Sequence, residues 1–493
     1  MSPHAIALTI IFSIIAIGSA IGFYAGTHHK MNLEQWTVGS RGFGPLLMWL
    51  LMAGEIYTTF AFLGASGWAY SRGGPALYIL AYITLANVVA FFILPPIWEL
   101  GRKHGLQTLP DFFLARYGSK YLAAFAALVG VAFIIPYLQL QLTGLGIIVE
   151  VASFDGIGRT QAMIIAVALL AGFVFVSGIR AVAWVSVLKD FLMLVAVASI
   201  GIWVPHVYFG GVGQMFATLA RVQPAHLTMP GATTDHGHSW FISTVLLSTL
   251  GGYMWPHAFG ATFTAKSADT LRRNSVLMPL YAVSLVFILF TGFAAVLVVP
   301  GLANGDLSLL TVVRKTFPPW MLGVVGGAGA LTAMVPAAIL VLTASTLFAK
   351  NLCRPIFATS MTDNQVARLA KIMVVVLSLI SLFFAIHSSA TLVSLLLLGY
   401  AGVGQFFPGV VLSLFWKRVR MPAVFAGLIV GVGGAALLVL TNRDPFHGLN
   451  AGFVALCANL AVTIVASLLA PVKANASALI LLESPSPSSP DAD

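Results

Sequence analysis

Charge is what this chain has least of. Only 8% of its 493 residues are charged, while 59% are hydrophobic and the mean hydropathy is +0.97. Soluble domains carry roughly 25% charged residues, so this much apolar surface points to lipid as the solvent. Cysteine is nearly absent too. Cys353 and Cys457 lie far apart without metal-ligand spacing, which excludes a cysteine metal centre and argues against a structural disulfide. Strand-type alternation is missing, so helices rather than a barrel must satisfy the backbone. Nothing reads as a phosphate-binding P-loop, so ATP is not the energy source. Paired intramembrane histidines, which a haem or quinone enzyme would need, are lacking, since His257 is the only clear candidate. No enzymatic module, catalytic residue or cofactor is therefore expected. The net charge of +10 does not require nucleic acid, because membrane proteins concentrate Lys and Arg in cytoplasmic loops.

What the chain does have is apolar runs, each near the roughly 20 residues that cross a bilayer as helix. Thirteen spans fall at about 5–26, 43–71, 76–100, 121–150, 159–179, 181–207, 239–264, 275–301, 318–349, 368–387, 390–416, 421–441 and 450–471. Met1 to Ala5 lacks the positive region of a secretion signal, so the first run is expected to be a retained helix. With the N-terminus outside and the C-terminus inside, eighteen of the 25 Lys and Arg lie on the inner side and six outside, with Lys189 inside a span. That split obeys the positive-inside rule. The expected location is a bacterial inner (cytoplasmic) membrane, with residues 1–473 forming one transport domain. The longest outer connection, about 208–238, is expected to fold over the entrance. The acidic, Ser/Pro-rich tail 474–493 is expected to be disordered in the cytoplasm. The partners expected are a small-molecule solute and the lipid bilayer, with no obligatory protein partner evident.

Transporter sites form where helices are interrupted near the midplane, and matched interruptions in two halves are the best sequence pointer. Met52-Ala53-Gly54-Glu55-Ile56-Tyr57-Thr58-Thr59 puts a glycine, an acid and hydroxyls midway along the second span. Gly251-Gly252-Tyr253-Met254-Trp255-Pro256-His257 puts a glycine pair and a proline in the seventh, where proline should break the helix. These open two possible five-span repeats, about 43–207 and 239–416. Five is odd, so the halves run oppositely, as alternating access requires. The alternative for each break is a kink that only eases packing. Two breaks five spans apart, one carrying an acid, favour a site.

The order and spacing of several short stretches resemble the sodium:solute symporter family along nearly the whole chain. They are Gly39-Ser40-Arg41-Gly42-Phe43-Gly44-Pro45, Leu109-Pro110-Asp111-Phe112-Phe113 with Arg116-Tyr117-Gly118, Pro256-His257, and Ala426-Gly427 with Gly431. Within that family the chain looks most like the bacterial monocarboxylate permeases. The matching stretches are Gly54 to Thr58, Pro136-Tyr137 with Gln141-Leu142, Arg180-Ala181 with Lys189-Asp190, Trp255-Pro256-His257, and Val335 to Ala338. The resemblance implies an all-α polytopic fold of the LeuT type, a five-plus-five inverted-repeat core with extra helices before and after. It also implies a short monocarboxylate, such as lactate or pyruvate, as solute. An amino acid or other small organic solute is the alternative. Sodium in that family is held by carbonyls of the broken second span, carried over here to about Gly54 and Tyr57, and by two adjacent hydroxyls on the ninth. The latter positions hold Val335 and Pro336, which have no side-chain oxygen. Thr332, one turn earlier, is the candidate substitute. The sixth span also departs, with Ser186, Lys189 and Asp190 where sodium-coupled relatives often carry an acid and a Gln. The coupling ion is therefore left as Na+ or H+.

A charge at a helix centre costs roughly 2.5–3.5 kcal/mol on insertion scales, so Glu55 must face a partner or a wet cavity. It is a candidate proton carrier, a partner for sodium or Lys189, or a structural hydrogen-bonding group. Lys189 and Asp190 are read as an inner gate or anchor, or alternatively as a contact to the solute. Lys189 is expected to snorkel towards the interface, and adjacent positions point roughly 100° apart on a helix, which disfavours their pairing. Tyr137 and Gln141 are one turn apart and share a face, offering donors to a carboxylate. Tyr57, Thr58, Trp255, His257 and Gln405 complete the candidate solute site. Gly251, Gly252, Pro256, Gly402 and Gly404 are the candidate hinge and gate positions, or else merely allow close packing.

Lactate and pyruvate are anions at neutral pH. An inside-negative potential opposes their uptake by about 2.3 kcal/mol per 100 mV, a factor of roughly 50. Co-transport of one cation makes the step electroneutral. The expected arrangement binds the solute between spans 2, 4, 7 and 11, its carboxylate near the half-helix end of span 7, with the cation near Gly54, Glu55 and Tyr57.

Overall fold

The structure, a computed structural model, describes residues 1–27, 41–176 and 179–470. Gly39 and Ser40 of the first motif, Lys30 and Lys473 of the inner-side charges, and the tail 474–493 lie outside the described residues. Among the described residues the protein is helical, with two isolated β-bridges and no strand.

The helices follow the apolar runs closely. The first half comprises α1 (Pro3–Thr27), α2 (Pro45–Ile56), α3 (Phe60–Ser71), α4 (Tyr78–His104), α5 (Leu109–Tyr117), α6 (Lys120–Ala152), α7 (Arg159–Val176), α8 (Ile179–Phe209) and α9 (Val212–Val222). The second comprises α10 (His238–Gly251), α11 (Pro256–Thr262), α12 (Ala268–Val298), α13 (Ser308–Thr316), α14 (Pro319–Ile356), α15 (Asp363–His387), α16 (Leu392–Val403), α17 (Phe406–Phe415), α18 (Met421–Leu440) and α19 (Ala451–Leu469). Among the described residues nine helices are long and apolar enough to cross a membrane, or up to eleven if the bent pairs α2–α3 (58°) and α16–α17 (46°) each count as one. The short helices α5, α9 and α13 lie in connections that the sequence reading left as loops.

Local chemistry explains the ends and the breaks. Thr108 and Asp111 form a reciprocal capping box on α5, as do Thr362 and Gln365 on α15. Pro256 is the first residue of α11, preceded by extended Trp255. Proline lacks the donor that would carry α10 through into α11, so the chain is unwound from Gly252 to Trp255. Burial sorts the helices: 94% of the most apolar stretch of α14 is buried, against 33% for those of α15, α18 and α19. Helix α14 therefore stands at the centre, against α1, α6 and α8. Phe383, Leu440 and Leu469 are among the large apolar side chains left on the outside, a surface suited to lipid rather than water.

Candidate functional site

The two interruptions meet. A cavity of about 330 Å³ lies between α2, α4, α6, α11 and α16, lined by Glu55, Tyr82, Tyr137, Trp255, His257 and Tyr400 together with Ile56, Gly252, Ala258 and Leu396. Its walls are mostly rings. Trp255 sits 4.8 Å from Tyr137 and 5.4 Å from Tyr400 between centroids, and Tyr400 is 5.7 Å from Tyr82. The Trp255 ring reaches its place because residue 399 is glycine, where an added Cβ would lie 2.3 Å from the indole. Glu55 and His257 line this box, and both Glu55 carboxylate oxygens and His257 Nδ1 are buried without a protein hydrogen-bond partner. Tyr137 donates its hydroxyl to the Glu55 carbonyl at 3.3 Å, tying α6 to the end of α2.

Behind the cavity lies the position expected for a coupling ion, and Lys189 fills it. Its Nζ donates to the Gly54 carbonyl at 3.2 Å and the Tyr57 carbonyl at 3.3 Å, and lies 2.9 Å from Asp190 Oδ1. Tyr281 of α12 donates to the same Asp190 oxygen at 3.0 Å. This corrects two expectations. Lys189 is wholly buried instead of snorkelling, and it pairs with its neighbour Asp190. The 100° offset holds for the two Cβ atoms, but the four-carbon lysine stem is long enough to bring its ammonium back over the next side chain. Gly54 is required here: a Cβ would lie 2.8 Å from Ser186 Oγ and 3.3 Å from Lys189 Nζ.

The other expected site residues divide. Thr58 is buried and accepts from the Phe60 N–H at 3.3 Å. Gln141 accepts from both the N–H and the hydroxyl of Thr59, so it anchors the unwound stretch, its Nε2 left without a partner. Tyr57 turns its ring away to pack 4.2 Å from Tyr281. Thr332 is buried on α14, its hydroxyl donating to the Ala328 carbonyl at 2.8 Å. Gln405 is not brought to the cavity. It sits at the α16–α17 break, donating to the Ala401 and Gly452 carbonyls and accepting from Asn459 of α19. The glycines mark close approaches: Gly251 lies against Tyr400 and Gly404, Gly252 against Ala86, and Gly402 against the Phe133 ring. Tyr82, Tyr400 and Leu396 were missed by sequence reasoning. Tyr400 could have been found from its place in the glycine-rich stretch Gly399 to Gly404; Tyr82 lies in an unbroken apolar helix and gives no signal.

The two ends of the site differ. On one side a second cavity of about 510 Å³ runs from His257 and Pro256 past Ile339 and Thr346 to Gln107 and Thr108. Its rim is tied by Asp111, whose Oδ2 meets Lys350 Nζ at 2.8 Å and whose Oδ1 accepts from Asn351 Nδ2 at 2.8 Å. Burial alone would raise the Asp111 carboxyl, but Lys350, Asn351 and the Gln107 N–H outweigh it and hold it below the usual range. On the other side a cluster of rings continues from Tyr82, which lies 5.7 Å from Tyr78. Trp68 packs 5.7 Å from Tyr78 and 5.5 Å from Trp240, and His236 lies 4.3 Å from Trp240. Burial, with Arg72 nearby, pushes His236 down to about 4. The connection 208–238 is tied to Arg72 beside these rings: the Arg72 carbonyl accepts from the Ala232 N–H at 3.0 Å, and its guanidinium donates to Thr233 at 2.9 Å.

The sodium:solute symporter family model matches residues 36–431. The chain is 45% identical over 476 residues to the uncharacterized symporter YhjB of Bacillus subtilis (strain 168), covering 94% of this chain and 97% of that protein. It is 27% identical over 483 residues to a monocarboxylate transport permease protein of Rhizobium johnstonii, covering 95% and 98%. Among solved structures, a Na+-coupled sialic acid symporter in a substrate-bound outward-open state superposes with a TM-score of 0.78 at 19% identity, covering 95% and 98%, a likeness of fold. From the matched length and the shared architecture, this chain belongs to the sodium:solute symporter family.

Proposed function

We propose that this protein is a secondary active symporter that imports a small monocarboxylate, such as lactate or pyruvate, with a coupling cation. In this reading residues 1–473 form thirteen spans in a bacterial inner membrane, N-terminus outside and C-terminus inside. Helix α7 and the α10–α11 pair join the eleven apolar spans to make that number. The repeats, about 43–207 and 239–416, rock about the cavity to expose it to either side.

The observation that carries the reading is the cavity at the meeting of the two breaks. It is small, walled by rings and furnished with few polar atoms, the form of a site for a solute of a few heavy atoms. The likeness to a monocarboxylate permease along 95% of the chain supports the substrate class. Glu55 bears on it as well, since two carboxylates cannot share a dry box without a cation or proton between them. An amino acid, whose ammonium group Glu55 would accept, is the second reading.

Uptake of labelled lactate and pyruvate into proteoliposomes, with alanine and propionate as competitors, tests this. Uptake blocked by propionate and indifferent to alanine is the expected result. Uptake blocked by alanine alone would favour the amino-acid reading, and no uptake of either acid under any ion gradient would remove the monocarboxylate assignment.

A further inference from the structure

We propose that the Lys189 ammonium stands permanently where a coupling metal ion would bind, so that the solute crosses with no sodium ion at this site. Two observations converge. The first is valence. An ammonium has three donors and no acceptor, and Lys189 Nζ meets three acceptors: the Gly54 and Tyr57 carbonyls and Asp190 Oδ1. A neutral amine, with two N–H donors and a lone pair, would leave one of them facing that lone pair. The second is competition. The two carbonyls are those that would strip water from a metal ion, and the α14 positions expected to add hydroxyls hold Val335 and Pro336. Thr332, one turn earlier on α14, donates its hydroxyl to the Ala328 carbonyl. A metal cation entering here would displace one positive charge with another and find fewer oxygens.

This deepens the symport reading and depends on it only for the identity of the anion. The test uses the purified full chain in two arms. In detergent and without solute, the thermal midpoint is compared in sodium and potassium chloride at fixed pH; no sodium-specific rise is expected. In proteoliposomes, pyruvate uptake is measured with sodium fully replaced by potassium. Unchanged rates are expected. Sodium-specific stabilisation or sodium-dependent uptake would each overturn the proposal. If no monocarboxylate is carried at all, the substrate reading fails while the sodium-binding arm still decides the role of Lys189.

Discussion

The tightest fit in the site is a missing methyl. An alanine at position 399 would put its Cβ 2.3 Å from the Trp255 ring, and that ring is held between Tyr137 and Tyr400. Overpacking of this kind costs about 1–3 kcal/mol, so Gly399→Ala is expected to lower solute uptake about tenfold or more while the protein still elutes as a folded species. Trp255→Phe in the same chain should recover part of the loss, because the smaller ring frees the contested space; no recovery would place the effect elsewhere in α16. At this scale the sequence was informative where chemistry was conspicuous. Glu55, Tyr137, Trp255 and His257 were all singled out, and all line the cavity. Tyr82 and Leu396 were not, because apolar residues on a buried helix look alike until packing selects a few to face a void. Gln405, expected in the solute site, lies instead at the α16–α17 break, where it bonds backbone carbonyls of α16 and α19.

Elements were legible in proportion to the strength of their local signals. Glycine and proline announced the break between α10 and α11, and glycine followed by hydroxyls announced that between α2 and α3. The π-helical stretches Phe60–Gly64 and Leu347–Cys353 carry no such mark, since a wider turn arises from what packs around it. Yet the second positions Lys350 and Asn351 on Asp111 at the rim. Asp111→Asn would leave Lys350 without its counter-charge. With side chains only 14% and 21% exposed, the loss is expected at about 2–3 kcal/mol, below the roughly 3–5 kcal/mol of a fully buried pair, and a thermal melt would register it. The sign follows from linkage. The Asp111 carboxyl is held below its unfolded value, so its contribution is present above about pH 4 and fades as the pH falls through the lower, folded value. Asp111→Asn should therefore abolish part of the acid sensitivity as well as the stability.

At the scale of the whole molecule, lipid made the span pattern readable, because a helix that must cross a bilayer declares its length in apolar residues. Which rings gather at Trp68 was not readable, since that depends on helices far apart in sequence. The end of the site where these rings gather carries an optical consequence. A protonated imidazole quenches a neighbouring indole, whereas a neutral one scarcely does. While the rings are together, His236 is held near 4, so acidifying through about 6.5, where a hydrated imidazole titrates, leaves it neutral and Trp240 and Trp68 bright. Once that end parts and water reaches the imidazole, the same acid step charges it and dims both indoles. The difference in emission across that pH step, absent in His236→Ala, would then count the fraction of molecules open on that side, with no label attached and no solute added.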